Sequence, residues 1–349
     1  FFFKQKTAYE IYQCDWSSDV CSSDLVKLNL QNESGREAFR RLLKDADVLV
    51  ENYRPGVLAR LGFAPEKLRE AYPRLIHCSI TGFGATGPYK GRPAFDTIGQ
   101  ALSGIASSQL NPEDPQIMGP TVSDYVTGMY ATYGTLAALR ERDRTGRGRL
   151  VEVNLLECSI ALTADYVATF TQRGIVSKPL TRTAASQAFA FRCGDGKLLA
   201  IHLSRHEKFW TNLLDALERP ELATDTRFAG RMERIENYAA LRDELAKTII
   251  AKPRLHWMQR LETADVPFAP VNDTAEVLAD AQVQHLGLIA TAEHPTEGKV
   301  TGIRSPVLFD GARGGIEPAP SFGEHTRSVL AGLGYSAEEI EGLAKAGVI

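Results

Sequence analysis

Ser123-Asp124, just ahead of a long stretch with helical apolar spacing, is the pair in this sequence best placed for nucleophilic chemistry. Asp and Ser are also favoured helix caps, each worth about 0.5–2 kcal/mol, so a plain cap and a functional carboxylate both fit the local sequence. A carboxylate lifted out of a loop at a helix mouth can attack an activated acyl carbon while nearby backbone N–H groups stabilise the oxyanion. A second cluster is ENYRPG (Glu51–Gly56), directly after a predicted strand. Loops at the carboxyl ends of parallel strands are where α/β proteins bind ligands. Asn52, Tyr53 and Arg54 supply an amide, a stacking ring and a guanidinium suited to phosphate; a simple strand-to-helix turn is the competing reading. The run GFGATG (Gly82–Gly87) spells GxGxxG after a strand, but Pro-Tyr-Lys-Gly-Arg-Pro follows at once. A dinucleotide site needs a helix to open at the third glycine, so the required context fails. None of the seven histidines has metal-ligand spacing, and no metal is expected. His202 and His206 straddle a strand end, and His256-Trp257 reads as packing.

These residues need elements to hold them. VKLNL (Val26–Leu30) is predicted to be a strand, Ser34 to cap the helix GREAFRRLLKDA, and DVLVEN (Asp47–Asn52) to be a second strand. Together they suit one parallel βαβ unit. Pro65 takes a first-turn position in APEKLREAY, and RLIHCSITG (Arg74–Gly82) is apolar enough for a strand covered on both faces. A Gly/Pro-rich loop (Gly82–Pro93) leads to a helix beginning near Asp96. The most regular helix is predicted from Tyr125 to about Arg142. Its Val126, Met129, Tyr130, Tyr133, Leu136 and Leu139 recur at three- and four-residue intervals and are expected to form a buried stripe. RTGRG (Arg144–Gly148) stops it, and one long helix is predicted from about Leu155 to Gln172. AFAFRC-GDG-KLLAIHL is a hairpin signature, a mostly helical stretch runs to about Gln284, and LIATAEHPTEGKVTGIRSP reads as another hairpin. In the second of two C-terminal helices, Ser336 and Glu339 have capping-box spacing. The expected organisation is a large α/β domain over residues 26–180, a smaller α+β domain over 181–300, and a return to the large domain over 301–349.

The chain has 349 residues, 44% hydrophobic and 24% charged, the make-up of a folded chain rather than a disordered one. Its net charge of −3 comes with no basic stripe interleaved with aromatics, which argues against nucleic-acid binding. No apolar run reaches the about 18 residues needed to span a bilayer. Residues 1–25, FFFKQKTAYEIYQCDWSSDVCSSDL, show neither helix nor strand period and lack the apolar core and cleavage site of a signal peptide. They resemble translated sequencing-adapter read-through and are expected to be an artefact. Without Lys4, Lys6, Glu10, Asp15, Asp19 and Asp24 the net charge becomes −1. Without Cys14 and Cys21 the cysteines are Cys78, Cys158 and Cys193, an odd set with neither disulfide nor metal spacing. The chain reads as cytoplasmic.

From Val26 to Ile349 the sequence resembles the class III CoA-transferases, the CaiB/BaiF family. The resemblance lies in ENYRPGVLARLGF, RLIHCSITGFGATGPYKGRPAFD, GPTVSDYVTGMYATYGTLAALRERDRTGRGRLVEV, PVNDTAEVLADAQV and GEHTRSVLAGLGYSAEEIEGLAKAGVI. It implies a Rossmann-like large domain, a smaller α+β domain and an interlocked homodimer. It makes Asp124 the nucleophile, which takes the acyl group of an acyl-CoA as a mixed anhydride and then carries CoA as an aspartyl thioester for a carboxylic acid acceptor. By the same resemblance Asn52, Tyr53 and Arg54 line the CoA groove, and Arg60 meets a CoA phosphate. Arg92, Ala94, Phe95 and Asp96 lie beside the pantetheine arm, and Leu28 to Gln31 lie near the adenine. Coenzyme A and acyl-CoA are then substrates, and no cofactor is bound permanently.

Three departures from the family pattern bear on this. Family members begin with a further βαβ unit, about 30 or more residues, where this chain carries the adapter-like segment, so the chain is expected to be a fragment. TRTAASQA (Thr181–Ala188) stands where some transferases have a mobile Gly-rich loop. The related racemases have a His next to the acidic residue matching Asp96; Phe95 is there instead, which removes a general base and favours transfer over racemisation. The alternatives are an acyl-CoA racemase or epimerase, and an inactive truncated CoA-binding fragment.

Overall fold

Apolar, β-branched runs in the first half of the chain build a parallel sheet. The computed structural model describes residues 23–349, so all but the end of the expected 1–25 artefact lies outside the described residues. They divide into two compact units. The first comprises the described residues up to Ala106, Ile117–Ala164 and Leu286–Ile349; the second comprises Ser107–Gln116 and Asp165–His285. The fold is mixed α/β, with a parallel sheet in the first unit and antiparallel strands in both.

The first unit starts with α1 (Glu33–Asp45), β1 (Val48–Glu51), α2 (Val57–Arg60), α3 (Pro65–Ala71), β2 (Ile76–Thr81) and α4 (Asp96–Ser103). It continues with α5 (Val122–Thr145), β3 (Leu150–Asn154) and α6 (Leu155–Leu162). The strands lie in the order β1-β2-β3, all parallel, with Leu49 opposite His77 and Cys78 opposite Val151. Phe39 and Leu43 of α1, four residues apart, pack against Leu49, Leu58, Phe63, Leu68 and Leu75. Phe39 and Phe63 meet edge-on at 4.7 Å. The cap of α1 is Asn32, whose side chain accepts from the Ser34 N–H at 2.9 Å, so Asn32 replaces Ser34 in the capping role.

Val26–Leu30 forms no strand. Its backbone is claimed elsewhere: the Lys27 N–H donates to Thr326 Oγ1 (2.9 Å) and the Asn29 N–H to the Val348 carbonyl (2.8 Å). Among the described residues no strand precedes β1. The C-terminal helices Thr326–Gly332 and Ala337–Lys345 bring Leu330 and Ile340 onto Ala38 of α1. Ser336 and Glu339 form the expected capping box. The expected second hairpin is Ile289–His294 paired with Gly298–Ile303.

The long helix departs most from expectation. Its buried face is Ser123, Val126, Thr127, Ala131, Ala138 and Arg142, whereas Met129, Tyr133 and Leu136 are 72%, 72% and 61% exposed. Of the expected stripe only Val126 is buried. Small residues face inward because α5 lies hard against the sheet: a Cβ on Gly134 would come within 2.9 Å of Val151 Cγ1. Gly146 ends the helix at φ 74°, where a left-handed residue is needed, and its N–H bonds the Arg142 carbonyl at 2.7 Å. The helix predicted from Leu155 breaks at Thr163 into α6 and Ala164–Arg173.

In the second unit β4 (Ala188–Arg192), β5 (Leu198–His202) and β6 (Phe268–Pro270) form an antiparallel sheet; the first two are the expected hairpin. Phe189, Phe191, Leu199 and Ile201 pack there with Trp210, Leu213, Leu241 and Leu245. Buried Arg234 is held by Gln187 and Glu207 and lies over the Trp210 ring. Arg254 and Lys197 grip Glu276 and hold its carboxyl down to about 2. Thr181–Ser186, within the segment expected to replace a Gly-rich loop, is a short helix.

Among the described residues, no helix is long and apolar enough to cross a membrane, and no group of three or more His, Cys, Asp or Glu could hold a metal ion.

Candidate functional site

The direction of α5 places its start at the carboxyl edge of the sheet. Near its C-terminus Arg142 pairs with Asp47 Oδ1 at 2.8 Å and lies 3.4 and 3.5 Å from the Asp47 and Arg74 carbonyls, residues that lead into β1 and β2. That end is therefore at the amino edge of the strands. With 24 residues the helix runs about 36 Å back, bringing Ser123 and Asp124 to the carboxyl edge. There the β1 loop delivers Asn52, Tyr53 and Arg54, and the β2 loop delivers Arg92, Ala94, Phe95 and Asp96.

The first turn of α5 is capped from outside its own sequence. Its N-cap Thr121 makes no side-chain cap bond. Instead Asp96 Oδ1 accepts from the Ser123 N–H at 2.8 Å and the Asp124 N–H at 3.2 Å. Neither Ser123 nor Asp124 is the cap that the local sequence also allowed. Ser123 is fully buried, its hydroxyl 2.7 Å from that of Ser159 on α6, and its carbonyl accepts from Thr127 Oγ1 at 2.7 Å. Gly99 makes this approach possible, since a Cβ there would sit 2.9 Å from Ser123 Oγ and 3.2 Å from Leu155 Cβ. Asp124 itself is exposed. Two N–H groups at the helix mouth are thus committed to Asp96 rather than open to an oxyanion.

The other expected site residues divide into those with a free outer face and those tied into the fold. Asn52 and Arg54 are exposed, while Tyr53 is half-buried against the α1/β1 core. The Tyr53 N–H donates to Glu51 Oε2 at 2.8 Å, and burial, reinforced by the Glu51 charge, pushes the phenol above its ordinary range. Gly56 turns the chain at φ 83°, and Arg60, exposed on α2, has Nη1 beside it. In the Gly82–Pro93 loop Gly84 and Gly87 have φ of 93° and 84°, and no helix opens until Asp96. This is a self-closing loop: Arg92 lies 4.4 Å over the Tyr89 ring, which meets Phe83 edge-on. Ala94 packs on Gly82, leaving no room there for a Cβ. Phe95 is 78% exposed, and its neighbour Asp96 is buried. Leu28 packs into the cores under α1, and Gln31 is exposed just before that helix. Of the expected site residues, a hydrogen bond joins Asp96 to Asp124.

Comparison with known proteins shows the family. The sequence model of CoA-transferase family III matches residues 22–326. The chain is a member of CoA-transferase family III. Succinyl-CoA:glutarate CoA-transferase of Mus musculus is 31% identical over 93% of this chain and 75% of its own length. Acetyl-CoA:oxalate CoA-transferase of Acetobacter aceti is 34% identical over 72% of this chain and 65% of its own. Among solved structures, a CAIB/BAIF family protein from Brucella suis superposes with a TM-score of 0.76 at 32% identity, covering 88% of this chain and 81% of that one.

As a class III CoA-transferase the chain is an enzyme whose class works on CoA thioesters. Sequence reasoning missed several residues at the helix mouth: Gln100, Thr127 and Ser159. Gln100 donates to Asp96 Oδ2 at 2.6 Å and to the Pro120 carbonyl at 3.1 Å. The four-residue spacing of Asp96 and Gln100 puts both on one face of α4, and that was the one local signal for the pair. Cys158, buried behind the site, has its thiol pushed up by that burial, which makes it inert packing rather than a nucleophile.

Proposed function

We propose that this CoA-transferase moves CoA from an acyl-CoA donor to a carboxylic acid by way of covalent attachment to Asp124. The observation that carries the proposal is an exposed carboxylate on the first turn of the longest helix, anchored through its own N–H at the carboxyl edge of a parallel sheet. An Asp124 oxygen attacks the thioester carbonyl, the C–S bond breaks, and CoA leaves as thiolate. The thiolate attacks the Asp124 carbonyl of the mixed anhydride, releasing the donor acid and leaving an aspartyl-CoA thioester. The acceptor carboxylate attacks that thioester, forming a second anhydride and freeing CoA thiolate again. Attack of the thiolate on the acceptor carbonyl yields the new acyl-CoA and restores the carboxylate. Every intermediate is an anhydride or a thioester, so the activation energy survives as long as water is kept out.

In this reading the parallel sheet is the core of a Rossmann-like CoA-binding domain. Asn52, Arg54 and Arg60 serve the nucleotide end of CoA through hydrogen bonds and phosphate pairing, Tyr53 lines the groove, and Leu28 to Gln31 lie near the adenine. Arg92, Ala94 and Phe95 flank the pantetheine arm. Asp96, buried with both oxygens already bonded, serves the helix mouth. The test is an assay with succinyl-CoA or acetyl-CoA as donor and glutarate, oxalate or malate as acceptor, the substrates in the names of its relatives. The expected result is one new acyl-CoA per donor consumed. Consumption that only releases free CoA, or no turnover with any pair, would contradict transfer.

We also propose that the subunit works as an interlocked homodimer. Tyr125, Met129, Tyr133 and Leu136 form an exposed apolar row along α5, and burying such a side chain is worth about 1.5–3 kcal/mol. The row begins beside Asp124, so a second copy seated there would also shut water out of the site. Met129→Asp puts a charge in the middle of the row; sedimentation is expected to show monomers where the unaltered chain is dimeric. A variant that remains dimeric would move the interface elsewhere.

A further inference from the structure

We propose that Gln100 is a positioning residue for the nucleophile, acting through Asp96; this rests on the assignment of Asp124 above. Gln100 and Asp96 are 3% and 8% exposed. Both amide protons of Gln100 are used, one on Asp96 Oδ2 and the other on the Pro120 carbonyl. Asp96 Oδ1 in turn holds the N–H groups of Ser123 and Asp124. One buried amide therefore ties α4, the segment entering α5 and the first turn of α5 into a single hydrogen-bonded chain that ends on the backbone of the nucleophile. Thr121 offers no side-chain alternative.

The chemistry explains why the far end of this chain matters. A buried carboxylate oxygen without a donor is costly. Once Gln100 is removed, Asp96 relieves that cost by turning, which alters how it holds the two N–H groups. Asp124 would then shift relative to a thioester whose carbonyl must lie within near-attack distance, and a displacement of about 1 Å can cost on the order of a hundredfold in rate. The Asp96 charge also occupies the positive end of α5. The backbone of that helix end is thus held by Asp96.

The test combines transfer kinetics with backbone hydrogen exchange in the full chain. Gln100→Ala is expected to lower kcat on the order of a hundredfold. The KM for acyl-CoA should stay within about twofold, because ground-state binding is untouched. Exchange at Ser123 and Asp124 should quicken while protection of β2 is retained. Gln100→Glu sets a second carboxylate against Asp96 Oδ2, so it should lose activity at neutral pH and recover it as pH falls, when a proton shared by the pair rebuilds the hydrogen bond. Wild-type kcat and exchange in Gln100→Ala would overturn the proposal. So would a loss in which kcat, KM and β2 protection all deteriorate together and Gln100→Glu shows no recovery at low pH. Faster exchange in Gln100→Ala, alongside an unaltered enzyme that transfers no CoA, would uphold the positioning and sink the assignment of the reaction.

Discussion

Asp124→Asn is expected to lower CoA transfer by on the order of 10⁴-fold or more, the scale seen when a covalent nucleophile is removed. An amide oxygen is a weak nucleophile, and its acyl adduct could not be resolved into a thioester by CoA. The loss should fall almost entirely on kcat, because Asp124 is exposed at the carboxyl edge and the groups proposed to bind CoA are other residues, on the β1 and β2 loops, on α2 and ahead of α1. Stability should hardly move. A surface substitution away from the core typically changes it by about 0.5 kcal/mol or less, and Asp96, rather than Asp124, caps the helix. Activity can therefore be separated from folding by measuring turnover and thermal unfolding on one preparation. A variant that keeps even a tenth of wild-type turnover, roughly 1.4 kcal/mol of barrier, would remove Asp124 from the chemistry.

The second large effect is on stability, in the sheet beneath the site. Gly148 closes the turn between α5 and β3, and its N–H donates to the Pro73 carbonyl at 2.8 Å. A Cβ there would sit 2.0 Å from the Leu75 carbonyl oxygen and 2.7 Å from the Arg74 carbonyl carbon. Those are backbone atoms at the entry to β2, and they cannot swing aside as a side-chain tip would. Gly148→Ala must therefore push β3 away from β2, opening a register that runs from His77–Leu150 to Thr81–Asn154. The expected cost is about 3 kcal/mol or more, at the upper end for overpacking, which lowers Tm by roughly 6–12 °C in a unit of this size. Gly146→Ala is the useful control: open space surrounds it, but its φ of 74° still strains a side chain, so a loss of about 1 kcal/mol is expected. Equal melting of the two variants would show that the crowding at Gly148 is relieved more easily than this geometry allows.

What could be read from the sequence was mostly local. ENYRPG after a strand, the loop character of Gly82–Pro93, both hairpins and the Ser336–Glu339 box each depend on neighbours a few residues apart, and each forms in the structure. Asp124 was visible because a Ser-Asp pair ahead of a periodic run marks a helix mouth. The features that escaped depend on distant partners. Val26–Leu30 has strand composition, but the C-terminal segment takes its hydrogen bonds, about 300 residues away in sequence. The cap of α5 comes from Asp96, 27 residues upstream, and nothing in the local sequence distinguishes that from self-capping. The inverted stripe of α5 has a different cause. Periodicity locates an apolar face without saying what covers it. Here the buried face is mostly Ser, Thr and Ala, with Val126 and Arg142, while Met129, Tyr133 and Leu136 point outward.

The covalent role of Asp124 is open to direct observation. The enzyme would be mixed with acyl-CoA in the absence of an acceptor acid, quenched in acid, digested and examined by mass spectrometry. The expected result is that the peptide containing Asp124 gains the mass of CoA less one water, and loses it on treatment with hydroxylamine, which leaves a hydroxamate on Asp124. The same peptide unmodified, in an enzyme shown to be turning over, would contradict the covalent route.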